Sequence, residues 1–418
     1  MTGRIRLIGI GDDGCLSLTS RAINAIAEAE VLAGSPRHLA FFPQFQGQTL
    51  TLTTPLEGYL EAVFAAAGEQ EVCVLASGDP LLYGIGTRLH AYAEALPTPP
   101  ELECIPSLSS VQLACAQLGW TAQETQLLSV HGRPLDGVVA QLQQGQQFAL
   151  LTDSDNTPTA IAQHLLNFDE GHWQLHLCEA MGGPAQRVRP FSVAELARGD
   201  AGDTAPLNLL LLRRTDPARW GGLGLHSQDE DFLKRTPQRG LITKAPVRAV
   251  AVANLNLHAD AVVWDIGAGS GSVGIEAAKL AWKGRSFAIE CNPECFFQLE
   301  GNRLAHRVDH LSLIRGRAPE ALAPLPAPDA VFCGGSRGEM EPIIDAVMAR
   351  LTPGGRFVLS AVTLESVAEI HRLCQSRQLD PRMLMINCAQ SRPLAHYTRY
   401  QSDNPIHLFI IEKKAKSQ

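Results

Sequence analysis

An apolar run, an acid and three alternating glycines follow one another without a break at Val262-Val263-Trp264-Asp265-Ile266-Gly267-Ala268-Gly269-Ser270-Gly271-Ser272. Few backbone paths suit that order. The apolar run reads as a strand, the glycines as a tight loop, and the apolar-periodic segment Val273 to Leu280 as a helix. Glycine carries no Cβ, so the loop can turn sharply and come close to a ligand. The helix that follows presents unpaired N–H groups to the same point. Twenty-three positions after Gly267, Glu290 closes a second apolar strand, Ser286 to Ile289. A carboxylate there can accept hydrogen bonds from both hydroxyls of a ribose. The pattern predicts a nucleoside-binding crevice at the carboxyl ends of parallel strands.

Dinucleotide folds favour G-x-G-x-x-G, in which the helix N-terminus neutralises a pyrophosphate. The spacing here is Asp-x-Gly-x-Gly-x-Gly, from Asp265 to Gly271. An acid one turn before the loop repels a pyrophosphate and attracts the ammonium of a methionine moiety. S-adenosylmethionine is therefore the expected cofactor. A dinucleotide, or a strand–helix turn with no ligand, is the alternative.

A chain of 418 residues is long enough for two or three domains, each with its own core. Its 45% apolar and 19% charged content is that of a soluble globular protein. The formal net charge of −8, with no basic stripe, argues against nonspecific nucleic-acid binding. The opening residues run directly into a strand without a signal-like apolar region, and no stretch approaches a membrane span. A cytoplasmic protein is expected. The ten cysteines are scattered, and Cys291-x-x-x-Cys295 has no second pair or histidine set to complete a metal site. Buried reduced thiols, and no bound metal, are the expectation.

The N-terminal half repeats a strand-then-small-residue rhythm. Ile5 to Ile10 ends in Gly9-Ile10-Gly11-Asp12-Asp13-Gly14, and Glu71 to Ala76 ends in Ser77-Gly78-Asp79-Pro80. Leu102 to Ile105 ends in Pro106-Ser107-Leu108-Ser109-Ser110, followed by a helix through Leu113 to Leu118. Any one of these could be ordinary turn chemistry. Three in series point to ligand loops.

These three loops resemble those of the tetrapyrrole methylases, two-subdomain α/β enzymes that hold S-adenosylmethionine folded in a cleft. The resemblance implies cofactor contacts at Gly11, Gly78, Asp79, Leu82, Ser109 and Ser110. Ser129-Val130-His131-Gly132-Arg133 is similar to a further segment of that family. Cys178-Glu179-Ala180-Met181-Gly182-Gly183-Pro184 is similar to its second-subdomain loop, which implies a contact at Met181. The family's first loop usually reads G-x-G-P-G-D. Here the proline is missing and the acid is shifted.

A charged, Gly/Pro-rich stretch from Arg213 to Gly224 follows the apolar strand Leu207 to Leu212. The expected organisation is a first domain over 1–215 with a subdomain break near 120–130, a linker over 216–228, and a second domain over 229–418. Beyond Glu290 the rhythm stays βαβ, with strands at Leu311 to Ile314, Ala330 to Phe332, Gly355 to Ser360 and Ile406 to Ile411. That predicts a doubly wound sheet of the class I Rossmann-like methyltransferase type. Methyltransferases acting on amino nitrogens of bases carry an Asn/Asp-Pro-Pro-Tyr run after the fourth strand. Cys333-Gly334-Gly335-Ser336 stands there instead, which points towards a carbon nucleophile.

Leu241-x-Thr243-Lys244, the glycine loop, Gly316-Arg317-Ala318-Pro319-Glu320 and Ala361-Val362-Thr363-Leu364-Glu365 resemble the decarboxylating methyltransferases of corrin biosynthesis. That resemblance implies cofactor contacts at Thr243, Gly267, Gly269, Gly271, Glu290 and Ala318, beside the Asp265 read from spacing. The two halves in this order resemble the fused corrin-pathway methyltransferases over nearly the whole chain. Implied are methylation of carbons 5 and 15 of a precorrin, loss of carbon dioxide from its ring C acetate, one S-adenosylmethionine per domain, and a homo-oligomer. A polycarboxylate substrate on an acidic protein needs local cations. Arg133, Arg187 and Arg189 in the first half, and Arg235, Arg239, Lys244 and Arg248 in the second, are the candidates. No general base is assigned. A methyltransferase of another substrate class, nucleic acid included, and a nonenzymatic ligand-binding regulator are the rival readings.

Overall fold

The computed structural model describes residues 3–234 and 242–414. Contact density divides the chain into two compact units. One is made of Met1–Arg133, Gln146–Gln163 and Gly171–Thr215, the other of Pro134–Gly145, His164–Glu170 and Asp216–Gln418.

The first unit holds two sheets. The strands β1 (Arg4–Ile10), β2 (Val31–Gly34), β3 (Gln48–Thr51), β4 (Val72–Ser77) and β5 (Glu101–Ile105) form a wholly parallel sheet in the order β3-β2-β4-β1-β5. Alternate residues serve opposite faces, as strand geometry requires. Ile5, Leu7, Val72 and Val74 enter one apolar cluster, while Ile8, Ile10, Cys73 and Leu75 enter another. Burial on both faces explains why these strands read as continuous apolar runs. The strands β6 (Gln126–Ser129), β7 (Gln147–Leu151), β8 (Trp173–Glu179), β9 (Arg187–Ser192) and β10 (Asn208–Arg214) form a second, mostly antiparallel sheet in the order β6-β7-β10-β8-β9. Between β5 and β6 in the chain comes the helix Ser110–Leu118, which packs on the second sheet and is stopped by Gly119 in the left-handed conformation at φ 65°.

The second unit is built on β11 (Val262–Ile266), β12 (Arg285–Glu290), β13 (Leu311–Arg315), β14 (Ala330–Cys333), β15 (Arg356–Ala361), β16 (Arg382–Ile386) and β19 (Ile406–Glu412). Their order is β13-β12-β11-β14-β15-β19-β16, parallel except where β19 meets its two neighbours. The remaining strands, β17 (Ala389–Leu394) and β18 (Tyr397–Ser402), make a separate ribbon. On β11, Val263 packs with the helices Ala245–Asn254 and Ser272–Leu280, and Trp264 with Met340–Arg350 and Leu364–Ser376. Both faces are thus covered, which is what doubly wound means. The strand order reverses at β11, between β12 and β14, and a switch point of that kind opens a crevice.

Segments 134–145 and 164–170 are held to this unit in part by one buried carboxylate. Asp309, 2% exposed, accepts from the N–H groups of Gly137 (2.8 Å), Val139 (2.9 Å) and Ala140 (3.0 Å) at the start of the helix Val138–Leu142. His164 Nε2 lies 3.0 Å from the same side chain. Burial alone would raise its pKa, yet His164 and His310 hold it well below the usual carboxylate range. In 216–228, Trp220 is buried beside Ala140, Phe232 and Leu299, and its N–H donates to Gln143 Oε1 at 2.7 Å.

The cysteines are present as thiols. Cys73, Cys115, Cys178, Cys333 and Cys374 are buried, and Cys15 is exposed.

Candidate active site

At the switch point the carboxyl ends of β11, β12 and β14 surround a cavity of about 480 Å³. That is within the range of small-molecule sites. Into it come Thr243, Lys244, Asp265, Gly267, Gly269, Glu290 and Ala318 from the sequence-derived set. Gly271 does not line it. This residue precedes the helix Ser272–Leu280 at φ 79°, and a Cβ on it would come within 2.2 Å of Leu299 Cδ1.

Residue alternation on β11 places Asp265 on the Val263 face, under the start of the helix Ser272–Leu280. There Asp265 Oδ2 accepts from Gly274 N–H at 2.8 Å, and a Cβ on Gly274 would stand 2.9 Å from the same oxygen. Asp265 is almost wholly buried, and burial pushes its carboxyl up to about 7, aided by the nearby charge of Glu290. The spacing argument expected a carboxylate that attracts an ammonium; the structure places a recessed one whose pKa burial raises to about 7. Glu290 ends β12 and ties the loop to the next strand. Its Oε2 accepts from Gly269 N–H (2.9 Å) and its Oε1 from Asn292 N–H (2.7 Å). Carboxylate oxygens have about four acceptor sites, so two remain for a ribose. Gly267, at φ 73°, lies against the loop after β14, where a Cβ would meet Gly335 O at 2.7 Å.

The apolar part of the lining comes from Ile266, Ile289, Phe332, Ile343, Ile386 and Ile406. An apolar slot, a strand-end carboxylate with acceptor capacity and a recessed acid fit the adenine, ribose and amino acid parts of S-adenosylmethionine. Sequence reasoning missed Asn292, Arg317, Ser336 and Arg337, which also line the cavity. Asn292 directly follows Glu290-Cys291 and was within reach. Arg317 and Ser336 stood inside stretches quoted from the sequence without being given a role, and Arg337 follows on a loop with no periodic signal.

The expected cations fare differently. Lys244 lines the cavity but pairs with Asp229 at 3.3 Å. Arg248 is fully buried, which corrects its reading as a substrate contact. Its guanidinium donates to Glu276 Oε1 (2.6 Å), Thr243 O (2.6 Å) and Ser227 O (2.5 Å), with Asp229 Oδ1 at 3.3 Å. It holds the segments before the glycine loop together. Arg235 and Arg239 lie outside the described residues, as does Leu241.

In the first unit, the loops after β1, β4 and β5 meet. Gly78 N–H donates to Ile10 O (2.9 Å) and Ser107 N–H to Gly78 O (3.2 Å). Gly78 has φ 59°, and a Cβ there would sit 2.9 Å from Ser109 Cα. Only glycine allows that approach. Asp79 Oδ1 accepts from Leu81 N–H at 2.9 Å and its carbonyl from Leu82 N–H at 3.0 Å, so Leu82 stands half-exposed beside the loop. Ser109 caps the helix Ser110–Leu118 in a capping box with Gln112, which occupies its hydroxyl, while Ser110 is exposed. Gly11 N–H is taken by Ser17 Oγ at 2.8 Å.

Two further readings change. The Met181 side chain packs among Val111, Ala114, Cys178 and Leu209, leaving its backbone as the part open to a ligand. Arg187 and Arg189 both clamp the buried Glu179, at 2.7 and 3.0 Å. Burial alone would raise the Glu179 pKa, but hydrogen bonds from Arg187, Ala205 N–H and Arg189 outweigh it and hold it low. These arginines are structural. Arg133 is exposed and lies over the Tyr83 ring at 5.7 Å. The shifted acid of the first loop has a purpose the sequence hid: Asp12 pairs with Arg37 at 2.5 Å, and Arg37 also donates to Ser77 Oγ at 3.0 Å. His38 shares that hydroxyl at 3.1 Å, and burial, then the Arg37 charge, pushes its pKa down to about 4.

Fold and site define a two-part α/β protein of the S-adenosylmethionine-dependent methyltransferase class. Residues 4–197 match the model of the tetrapyrrole (corrin/porphyrin) methylases, and residues 237–413 that of the precorrin methyltransferase domain. A precorrin-6Y C(5,15)-methyltransferase [decarboxylating] from Sinorhizobium sp. is 34% identical over 96% of this chain and 94% of its own length. A cobalt-precorrin-7 C(5)-methyltransferase from Salmonella typhimurium is 37% identical over 46% of this chain and 91% of its own. A probable cobalt-precorrin-6B C(15)-methyltransferase (decarboxylating) from Pyrobaculum calidifontis is 36% identical over 40% of this chain and 86% of its own. The chain belongs to the family of decarboxylating precorrin-6Y C(5,15)-methyltransferases.

Proposed function

We propose that this chain methylates carbons 5 and 15 of precorrin-6B (precorrin-6Y) and removes the ring C acetate carboxyl as carbon dioxide, giving precorrin-8. One observation carries the reading. A relative named for both carbons matches almost the whole chain, whereas relatives named for carbon 5 alone, or for carbon 15 with decarboxylation, each match less than half. The second unit's cavity is assigned to carbon 15 and the decarboxylation, the first unit's three loops to carbon 5, each with its own S-adenosylmethionine. The chain is read as a cytoplasmic homo-oligomer; among the described residues no helix is long and apolar enough to cross a membrane.

When bound, S-adenosylmethionine supplies a methyl group on a sulfonium leaving group, and the macrocycle supplies the carbon nucleophile. The protein's share is therefore mostly alignment and exclusion of water. Glu290 holds the ribose through the acceptor sites that Gly269 and Asn292 leave open. Asp265 takes the ammonium end, and a cation beside it favours its ionised form. Phe332, Ile343, Ile386 and Ile406 keep the cavity dry, so an acetate brought there loses the hydration that stabilises its charge. Release of carbon dioxide leaves an electron pair that the conjugated macrocycle absorbs.

The test is incubation of the full chain with precorrin-6B and S-adenosylmethionine, with mass spectrometry and calorimetry alongside. Two added methyl groups, one lost carboxyl and two donor molecules bound per chain are expected. A single methyl group, or a single bound donor, would refute the two-site reading.

A further inference from the structure

We infer that Arg337 is the residue of the second cavity that receives a peripheral carboxylate of the macrocycle and so sets the enzyme's preference for a polyacid substrate. The inference rests on the functional reading above and gives the cavity its anion contact. Arg337 lies on the loop that follows β14 and lines the cavity together with Ser336. That loop is tied to the glycine loop's own strand by Gly334 N–H donating to Ile266 O at 2.9 Å. Arg337 adopts the left-handed conformation, φ 51°, directly before Gly338 at φ 89°. An arginine gains nothing locally from that backbone.

What holds the loop is a second arginine. Arg317, on the loop after β13, donates Nη2 to the Arg337 carbonyl at 2.9 Å and pairs with Glu339 at 3.0 Å. Arg317 is thus committed to positioning. The Arg337 guanidinium is exposed, and no carboxylate among the described residues pairs with it. Of the other cations expected near this cavity and described, Arg248 is engaged inside the protein and Lys244 with Asp229. A planar guanidinium offers two parallel N–H donors to a carboxylate, which an ammonium cannot.

The experiment compares wild type with Arg337→Gln, Arg337→Lys and Arg337→Gly in the full chain. Carbon dioxide release from precorrin-6B, the step assigned to this cavity, is followed. A charge-assisted hydrogen bond of ordinary strength predicts a KM for the macrocycle roughly 10- to 100-fold higher in Arg337→Gln, with kcat and S-adenosylmethionine affinity within about threefold. Arg337→Lys should recover part of that loss. Arg337→Gly should match Arg337→Gln in KM while its Tm holds or rises, because glycine relaxes at φ 51°. Adding Arg317→Gln to Arg337→Gln should cost no further affinity, since Arg317 acts through Arg337. Fluorescence titration with uroporphyrin and its methyl ester gives a readout without turnover: wild type should favour the acid more strongly than Arg337→Gln does. Unchanged KM and unchanged acid preference in Arg337→Gln overturn the assignment. Wild type that releases no carbon dioxide sinks the functional reading instead, and the uroporphyrin comparison still decides about Arg337.

Discussion

Two buried charges in the second unit behave oppositely, and surroundings decide which. Asp265 has one N–H partner and a neighbouring carboxylate, so its charged form is disfavoured and its pKa rises to about 7. The folded protein then binds a proton that the unfolded chain has released, and Asp265 costs stability increasingly as pH rises from about 4 to about 7. Asp265→Asn keeps an acceptor for Gly274 and removes the titration. Its stability relative to wild type should climb across that window, by at most about 4 kcal/mol given roughly 1.4 kcal/mol per pH unit, as urea denaturation at pH 4, 6 and 8 would reveal. Its S-adenosylmethionine affinity at pH 8 should fall at the same time. A flat pH profile of the difference would remove the recessed acid from the account. Arg248, by contrast, is matched by Glu276, Asp229 and two carbonyls. Arg248→Met takes the buried cation away from two buried carboxylates, leaving Asp229 with Lys244 and Glu276 with His226, and should lower stability by about 3–5 kcal/mol in the same denaturation assay.

At the scale of elements, the glycine loop shows both how much the sequence discloses and where it stops. Parallel strands buried on both faces announce themselves as apolar runs, and β11, β12 and β4 stand within a residue or two of where those runs were read. The loop glycines were legible for a similar reason: a strand-to-helix turn that admits a ligand leaves little else possible. Partners distant in sequence were not legible. Nothing in the local pattern tells a surface arginine from one that will meet Asp229 and Glu276, 19 and 28 residues away. The ribbon β17–β18 went unread because its residues are polar, include Pro393, and are exposed on almost every position. Gly274 carries a prediction of its own. Alanine in a helix normally adds about 1 kcal/mol over glycine, but here its Cβ would press on Asp265 Oδ2 at 2.9 Å, within a packed interior. Gly274→Ala should therefore destabilise, by roughly 1–3 kcal/mol, with weaker cofactor binding in calorimetry. A stabilised variant would mean that the acid can swing aside.

At the scale of the whole chain, the second compact unit draws in 134–145 and 164–170 from early in the sequence. Asp309 shows what that inclusion is worth. Three backbone N–H groups and His164 surround it, all from those early segments apart from its neighbour His310. Arg307 adds ion pairs to Asp169 and Glu170, each at 3.0 Å. A chain beginning at residue 216 keeps the full seven-stranded sheet and the cavity but loses all of those partners except His310. It should fold and bind S-adenosylmethionine, yet melt at lower temperature than the second unit does in the intact chain. The same logic makes Asp309→Asn discriminating. In the intact chain the amide loses charge-assisted bonds inside the protein, at a cost of about 2–4 kcal/mol. In the 216–418 piece Asp309 faces water, and the substitution should fall within about 0.5 kcal/mol of neutral. Intact-chain stability from Asp309 should also drain away in acid, since a carboxylate held below its unfolded pKa contributes fully above that value and progressively less as pH falls through and beneath it. Denaturation of both lengths, each with and without the substitution, separates a carboxylate that joins early and late segments from one that merely stabilises its own loop: equal losses in both lengths would favour the loop.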